Sequence, residues 1–256
     1  MSDALATITG LFRYPVKSLS GEALDSVELI ANQCLPGDRL YALSHGAGKF
    51  DPANPEWVSK AHFANLAKQD IMAKLDTSYD PKTTTLTIHE AGATKAEGRL
   101  DSEDGRVTIE AFLNPFFEGK LPPPVKIVRA GYGALTDQEE PLISVINLAT
   151  LKDLERVMEQ PIDHRRFRGN ILVDTGEAWS ERKWVGRDIQ LGAAKAVVVD
   201  NIDRCAAINI DPETRAKNMN LPAHIVRTFG HMDCGVFIRI KDSGRAEVGA
   251  KITSAG

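Results

Sequence analysis

At 256 residues the chain is long enough for one large domain or for two smaller ones that share an interface. Hydrophobic residues make up 43% and charged residues 26%, a globular composition that excludes disorder and fibre, and the formal net charge of -4 gives no global attraction to nucleic acid or an anionic membrane. No apolar run approaches the roughly 20 residues needed to span a bilayer, and the opening MSDALATITG lacks a basic region followed by an apolar stretch. A cytoplasmic protein with no nucleic-acid or membrane partner is therefore expected.

The opening ATITGLFRYPV alternates apolar and other residues and then meets Pro15, which predicts a strand and a turn with Lys17 and Ser18 just beyond it. SVELI and DRLYALSH predict further strands, the second entered from the turn pair Pro36-Gly37 with Arg39 near its start. KAHFANLAK has helical spacing, whereas TTTLTIHE and GRVTIEAFL read as short strands. The run Leu121-Pro122-Pro123-Pro124 can neither continue a helix nor donate to a sheet ladder, and it sets a boundary near residue 120. Beyond it KIVRAG reads as a strand. NLATLKDLERVME, with apolar residues at Leu148, Leu151, Leu154 and Val157 and Asn147 as N-cap, is the strongest helix of the chain. RGNILVDT, DIQLG and AKAVVV follow as strands, and GVFIRIKDSGRAEVGAKI reads as a closing hairpin around Asp242-Ser243-Gly244. With no repeat of fixed period, the pattern is a strand-rich, barrel-like α+β protein with a few helices, in two parts covering residues 1–120 and 121–256.

Three clusters could carry chemistry. Asp200-Asn201-Ile202-Asp203-Arg204-Cys205 follows the apolar strand AKAVVV, so Cys205 falls at or beyond a strand end beside an arginine, a setting that favours a thiolate. Its alternative is a cysteine that only fills space. Asp163-His164-Arg165-Arg166-Phe167-Arg168-Gly169-Asn170 places three guanidinium groups and an amide before a strand, suited to an anionic ligand or equally to a solvated basic turn. Lys17, Ser18 and Arg39 form the third cluster, at predicted strand ends. Asp211-Pro212-Glu213-Thr214 reads as a helix start. The three cysteines lack any Cys-x-x-Cys pair, and His231-x-x-Cys234 offers too few ligands for a structural zinc, so Cys234 is assigned to packing. His45, His62, His89 and His224 stand alone and are assigned structural or exposed places.

Taken together these motifs resemble the MOSC family. Tyr14-Pro15-Val16-Lys17-Ser18, Pro36-Gly37-Asp38-Arg39 and Phe50-Asp51-Pro52 resemble its N-terminal β-barrel-like domain. Phe167-Arg168-Gly169-Asn170, Arg204-Cys205, Asp211-Pro212-Glu213-Thr214, Cys234-Gly235-Val236-Phe237 and Val248-Gly249 resemble the MOSC domain itself. The resemblance implies a MOSC-type β-barrel and a molybdenum-molybdopterin cofactor (Moco) with Cys205 as the protein ligand of the metal. By matching motif positions it implies pterin or phosphate contacts from Lys17, Ser18, Arg39, Arg168, Asn170, Arg204 and Phe237, and weaker ones from Asn147 and Thr150. It further implies reduction of N-hydroxylated or N- and S-oxide compounds, with electrons from a separate flavin, ferredoxin or cytochrome-type protein, since the chain shows no ferredoxin cysteine set. The competing reading is a carrier of cofactor, or of sulfur as a Cys205 persulfide, without its own turnover. Pyridoxal phosphate on Lys17 is a minor alternative. One departure stands out: Arg215 occupies a position where the family usually has glycine.

Overall fold

The computed structural model describes residues 4–131 and 133–255. In chain order the elements are β1 (Ala4–Arg13), β2 (Glu22–Leu24), β3 (Ser26–Leu29), β4 (Tyr41–Ser44), β5 (Leu75–Asp80), β6 (Thr85–Glu90), β7 (Ala93–Arg99), α1 (Glu103–Phe116) and β8 (Lys126–Arg129). They continue with β9 (Ile143–Asn147), α2 (Leu148–Met158), β10 (Ile171–Asp174), β11 (Asp188–Leu191), β12 (Ala194–Asp203), α3 (Leu221–Phe229), β13 (Asp233–Asp242), β14 (Gly244–Glu247) and β15 (Lys251–Ser254). Strands predominate and helices are few, as the α+β reading expected. None of the helices among the described residues is long and apolar enough to cross a membrane.

Packing divides the chain into two compact units. One takes the chain up to Arg13, Ala23–Pro36 and the chain from Glu140; the other takes Tyr14–Glu22 and Gly37–Glu139. The first contains a seven-stranded barrel in the order β10-β9-β13-β12-β11-β15-β1, closed by the antiparallel pairing of β1 with β10, Leu11 opposite Ile171 and Thr7 opposite Asp174. Closure leaves those strands no unpaired edge. Side chains alternate across each strand, so every second residue points inward. Ile8, Val145, Ile171, Val173, Ile189, Leu191, Ala196, Val198, Val236, Ile238, Ile240 and Ile252 fill the interior in this way. The outward residues Ile146, Leu172 and Cys234 are covered in turn by Leu151 and Leu154 of α2, Leu221 and Ile225 of α3, and Phe167. Two-sided burial explains why every residue of β9 is buried.

The second unit pairs β4 with β8 and builds a β5-β6-β7 meander. Ile109, Leu113 and Phe117 of the α1 region pack with Leu75, Leu86, Ile88, Leu43 and Ile127, while Ala42, Phe50, Phe63, Val128 and Leu135 form a second cluster.

Four local expectations are corrected. GRVTIEAFL is part of α1, not a strand: Ser102 caps the helix by accepting from the Gly105 N–H at 3.1 Å, Glu103 and Asp104 favour its positive end, and these signals outweigh the β-branched run. KAHFANLAK makes only a single 3-10 turn at Lys60–His62, because the Asn65 amide bonds the carbonyls of Lys60 and Phe63 in place of a helical ladder. The closing hairpin does not form. Both edges of β13 are taken by β12 and β9, so β14 pairs instead with β3, Gly244 opposite Leu29. Finally, Asp211 does cap the Glu213 and Thr214 N–H groups at 2.8 and 2.9 Å, yet no helix follows, since Arg215 turns left-handed at φ 61° and its N–H closes back on the Asp211 carbonyl. Arg215 thus adopts the conformation that glycine takes most readily, and the turn keeps its shape without one.

Candidate functional site

In the second unit, the segment after β1 and the segment before β4 are stitched by main-chain bonds from Arg39 N to Tyr14 O, Lys17 N to Tyr41 O and Tyr41 N to Pro15 O. This brings Lys17, Ser18 and Arg39 into one neighbourhood. Ser18 and Arg39 hold left-handed backbone, φ 68° and 46°, a costly conformation that tends to collect at functional positions. The side chains are nevertheless engaged. Arg39 pairs with Asp38, whose other carboxylate oxygen accepts from the Tyr14 N–H at 2.8 Å, and the guanidinium lies 4.9 Å from the Tyr14 ring centroid. The buried Lys17 ammonium donates to the Leu135 carbonyl at 2.8 Å and pairs with Asp137 at 2.5 Å, which also receives Lys60 at 3.0 Å. Burial pulls Lys17 below the usual lysine range against the pull of Asp137. Burial also works against the Asp137 charge, but Lys17 and Lys60 win and hold that carboxyl below the ordinary range. Asp38 and Asp137, which sequence reasoning passed over, are therefore the partners that fix these cations; Asp38 was readable as Arg39's neighbour, Asp137 was not.

In the first unit the three arginines of the basic run separate into three roles. Arg165 is exposed and pairs with Asp163 and Glu213. Arg166 is buried and reaches the Asn209 carbonyl at 3.1 Å, Asp211 at 2.5 Å and Asn218 at 2.9 Å, so it pins the Asp-Pro-Glu-Thr turn. Arg168 ends the 3-10 turn His164–Phe167 in left-handed backbone at φ 51° and keeps a half-buried side chain. Asn170 is interior: its amide oxygen accepts from the Ser144 hydroxyl at 2.8 Å, its amide nitrogen donates to the Phe12 carbonyl at 3.3 Å, and it ties β9 to β1. Phe237 sits half-buried on β13 opposite Ser144 and Asp200.

Cys205 stands two residues beyond the end of β12, at the start of the 3-10 turn Ala206–Asn209, and is exposed, whereas Cys34 and Cys234 are buried. Burial pushes the Cys234 thiol up to about 12, so that sulfur stays a neutral packing atom. Arg204, next to Cys205, is itself buried and donates to the carbonyls of Cys234 and Phe167. His231 packs edge-on against Trp179 and accepts the Asp233 N–H at 3.1 Å. Asn147 and Thr150 are fully buried and directed at an internal acid, Glu181. Asn147 Nδ2 donates to it at 2.7 Å and the Thr150 hydroxyl at 2.9 Å, while Asn147 Oδ1 caps α2 as expected. Burial raises Glu181 above the ordinary carboxylate range against those donors. The side-chain amide of Asn147 and the hydroxyl of Thr150 are thus both engaged in this internal network.

Among the described residues no three His, Cys, Asp or Glu side chains gather into a set for a bare metal ion. A lone exposed thiol beyond a barrel strand fits instead a metal whose other ligands come with an organic sulfur-bearing group, and Arg168 suits the phosphate of such a group.

A strand-closed barrel carrying one exposed thiol at a strand end is the class of protein that fold and site define. The MOSC domain matches residues 133–253 and the MOSC N-terminal beta barrel domain matches residues 5–116, and the chain belongs to the MOSC family. It is similar to Mitochondrial amidoxime-reducing component 1 of Mus musculus, 22% identical over 247 residues that cover 88% of this chain and 72% of that protein. The Homo sapiens protein of the same name is 21% identical over 251 residues, covering 90% and 73%. The solved structure of the YUAD protein from Bacillus subtilis aligns over 98% of this chain and 97% of its own, with TM-score 0.45 and 12% identity.

Proposed function

We propose that the chain binds the molybdenum-molybdopterin cofactor with Cys205 as the protein ligand of the metal, and that it reduces N-hydroxylated compounds or N- and S-oxides with electrons from a separate redox protein. One observation carries this reading: of the three cysteines, only Cys205 is exposed, and it sits at the strand end where a ligand can reach it. The names of the relatives support the substrate class, since amidoximes are N-hydroxylated.

When bound, the cofactor supplies a redox metal able to take up an oxygen atom. The chain supplies the rest. Cys205 would be the soft sulfur donor that holds the metal. Arg168, in its left-handed turn, offers a planar fork of donors to a phosphate. For an N-hydroxylated substrate, two electrons and two protons release the hydroxyl oxygen as water, and in this reading a separate redox protein supplies those electrons.

The test is turnover and metal content of protein made in a host competent in cofactor synthesis. Molybdenum near one atom per chain and reduction of benzamidoxime by a chemical electron donor are expected. Cys205→Ser should abolish turnover, because a hydroxyl stays protonated near neutral pH, while Cys234→Ser costs only stability. Full activity in the Cys205 variant, or loss confined to the Cys234 variant, refutes the assignment. Full molybdenum loading without turnover would point to a cofactor carrier.

A further inference from the structure

Arg204 stands beside Cys205 in sequence and by motif position counts among the cofactor contacts, but its geometry gives it another task. The residue is 8% exposed, and its guanidinium is spread over two main-chain carbonyls. Nε donates to Cys234 O at 2.7 Å, Nη2 donates to the same oxygen, and Nη1 donates to Phe167 O at 3.2 Å. The Phe167 ring lies beneath the guanidinium at 5.4 Å from centroid to Cζ. The Arg204 N–H meanwhile donates to Met232 O at 3.0 Å, continuing the β12–β13 ladder past the pair of Asp203 with Asp233. Space for the guanidinium comes from Gly235, at φ 89°, where an added Cβ would lie 3.2 Å from Nη2 and 2.4 Å from the Val145 carbonyl.

The consequence is a clamp. Phe167 directly precedes Arg168, and Arg204 directly precedes Cys205. One buried cation therefore joins the segment that carries the phosphate-binding candidate to the segment that carries the thiol, with the Cys234 carbonyl at the start of β13 as the common anchor. We infer that Arg204 is a positioning residue whose guanidinium fixes the Cys205 thiol relative to Arg168 rather than binding the cofactor. This rests on the reading of Cys205 as the metal ligand. The planar fork explains why arginine stands here: its Nη1 and its Nε–Nη2 edge reach two carbonyls at once, whereas a lysine ammonium is a point charge that reaches one.

Arg204→Lys is the discriminating variant, with Phe167→Leu as a second that removes the ring beneath the guanidinium but keeps both carbonyls. Three readouts are taken: molybdenum content after dialysis, the electron paramagnetic resonance spectrum of the Mo(V) state, and amide hydrogen exchange of residues 166–170 and 203–208 in cofactor-free protein. Positioning predicts that Arg204→Lys retains molybdenum within about twofold of wild type, whereas removing a charged hydrogen bond made to the cofactor itself would weaken retention by roughly one to two decades. It also predicts that the Mo(V) spectrum splits into more than one species, and that both peptide segments exchange at least about tenfold faster together, with Phe167→Leu shifting them less in the same direction. Depleted molybdenum with an unchanged Mo(V) spectrum in the remainder would make Arg204 a direct cofactor-binding residue and overturn the inference. Faster exchange in one segment only would also overturn it, because the clamp would not join the two. If wild-type protein holds no molybdenum, the cofactor reading fails while the exchange experiment still decides whether Arg204 couples the two segments.

Discussion

Asn147→Ala removes more than a helix cap, and its cost can be built from the hydrogen bonds it breaks. Asn147 Oδ1 accepts the Ala149 N–H at 3.1 Å at the first turn of α2, and replacing such a cap by alanine costs about 1 kcal/mol. Nδ2 donates to Glu181 at 2.7 Å, to the Thr175 hydroxyl at 2.9 Å and to the Glu177 carbonyl at 3.1 Å. Both Asn147 and Glu181 are fully buried, so water cannot replace the missing donor, and withdrawing one bond from a buried charged acceptor costs about 1.5–3 kcal/mol. The sum, about 2.5–4 kcal/mol, corresponds to a fall in Tm of roughly 5–15 °C for a chain of this size. Thermal unfolding followed by near-ultraviolet circular dichroism measures it. Asn147→Ser, which keeps a capping oxygen but cannot reach as an amide donor, should recover about 1 kcal/mol and so isolate the Glu181 share. A destabilisation below about 1 kcal/mol for the alanine variant, or an intact fold that sheds molybdenum, would refute the interior role and return Asn147 to the cofactor site.

Glu181 gives a pH signature. Its folded pKa is raised by burial, so its contribution to stability is fully present below the unfolded value and is lost as pH rises through the folded one; urea unfolding from pH 4.5 to 8 should show Glu181→Gln gaining on wild type as pH rises, and a pH-independent difference would contradict this. Arg168→Ala should weaken cofactor retention by one to two decades, or about 1.5–3 kcal/mol, with Arg168→Lys a partial rescue; unchanged molybdenum after dialysis would remove Arg168 from the site. Arg215→Gly should relieve a left-handed backbone cost of about 1–2 kcal/mol against a glycine entropy cost of about 0.5–1 kcal/mol, so chemical denaturation should find it neutral to about 1 kcal/mol more stable, and a clear destabilisation would show that the Arg215 side chain contributes.

What the sequence disclosed depended on range. The strand at Ala4–Arg13, the helix Leu148–Met158 and the N-cap at Asn147 are set by side-chain periodicity and by bonds spanning two or three residues, and they stand as read. The Ser102 cap was equally local, but the β-branched Val107, Thr108 and Ile109 drew the reading toward a strand; once capped, that segment buries Ile109 and Leu113 at helical spacing against the meander. The partnership of β14 with β3 joins residues far apart in the chain. No turn signal at Asp242-Ser243-Gly244 could reveal that β13 already has neighbours on both edges.

Range also separates the candidate residues of one basic run. Arg165, Arg166 and Arg168 carry the same side chain, and within a few residues only Asp163, which pairs with Arg165, distinguishes any of them. Their fates are decided by acceptors that lie elsewhere in the chain. Asp211 and Asn218, across 45 and 52 residues, draw Arg166 inside. Glu213, across 48, holds Arg165 at the surface. Arg168 is set apart by backbone, since it is left-handed just after Phe167. The same logic governs the pair at the thiol: Arg204 was chosen from sequence as the charge beside Cys205, yet the carbonyls of Phe167 and Cys234, 37 and 30 residues away, determine where that charge sits. A motif such as Arg-Cys therefore joins two separable features, an exposed sulfur beyond a strand end and a buried cation held by carbonyls 37 and 30 residues away.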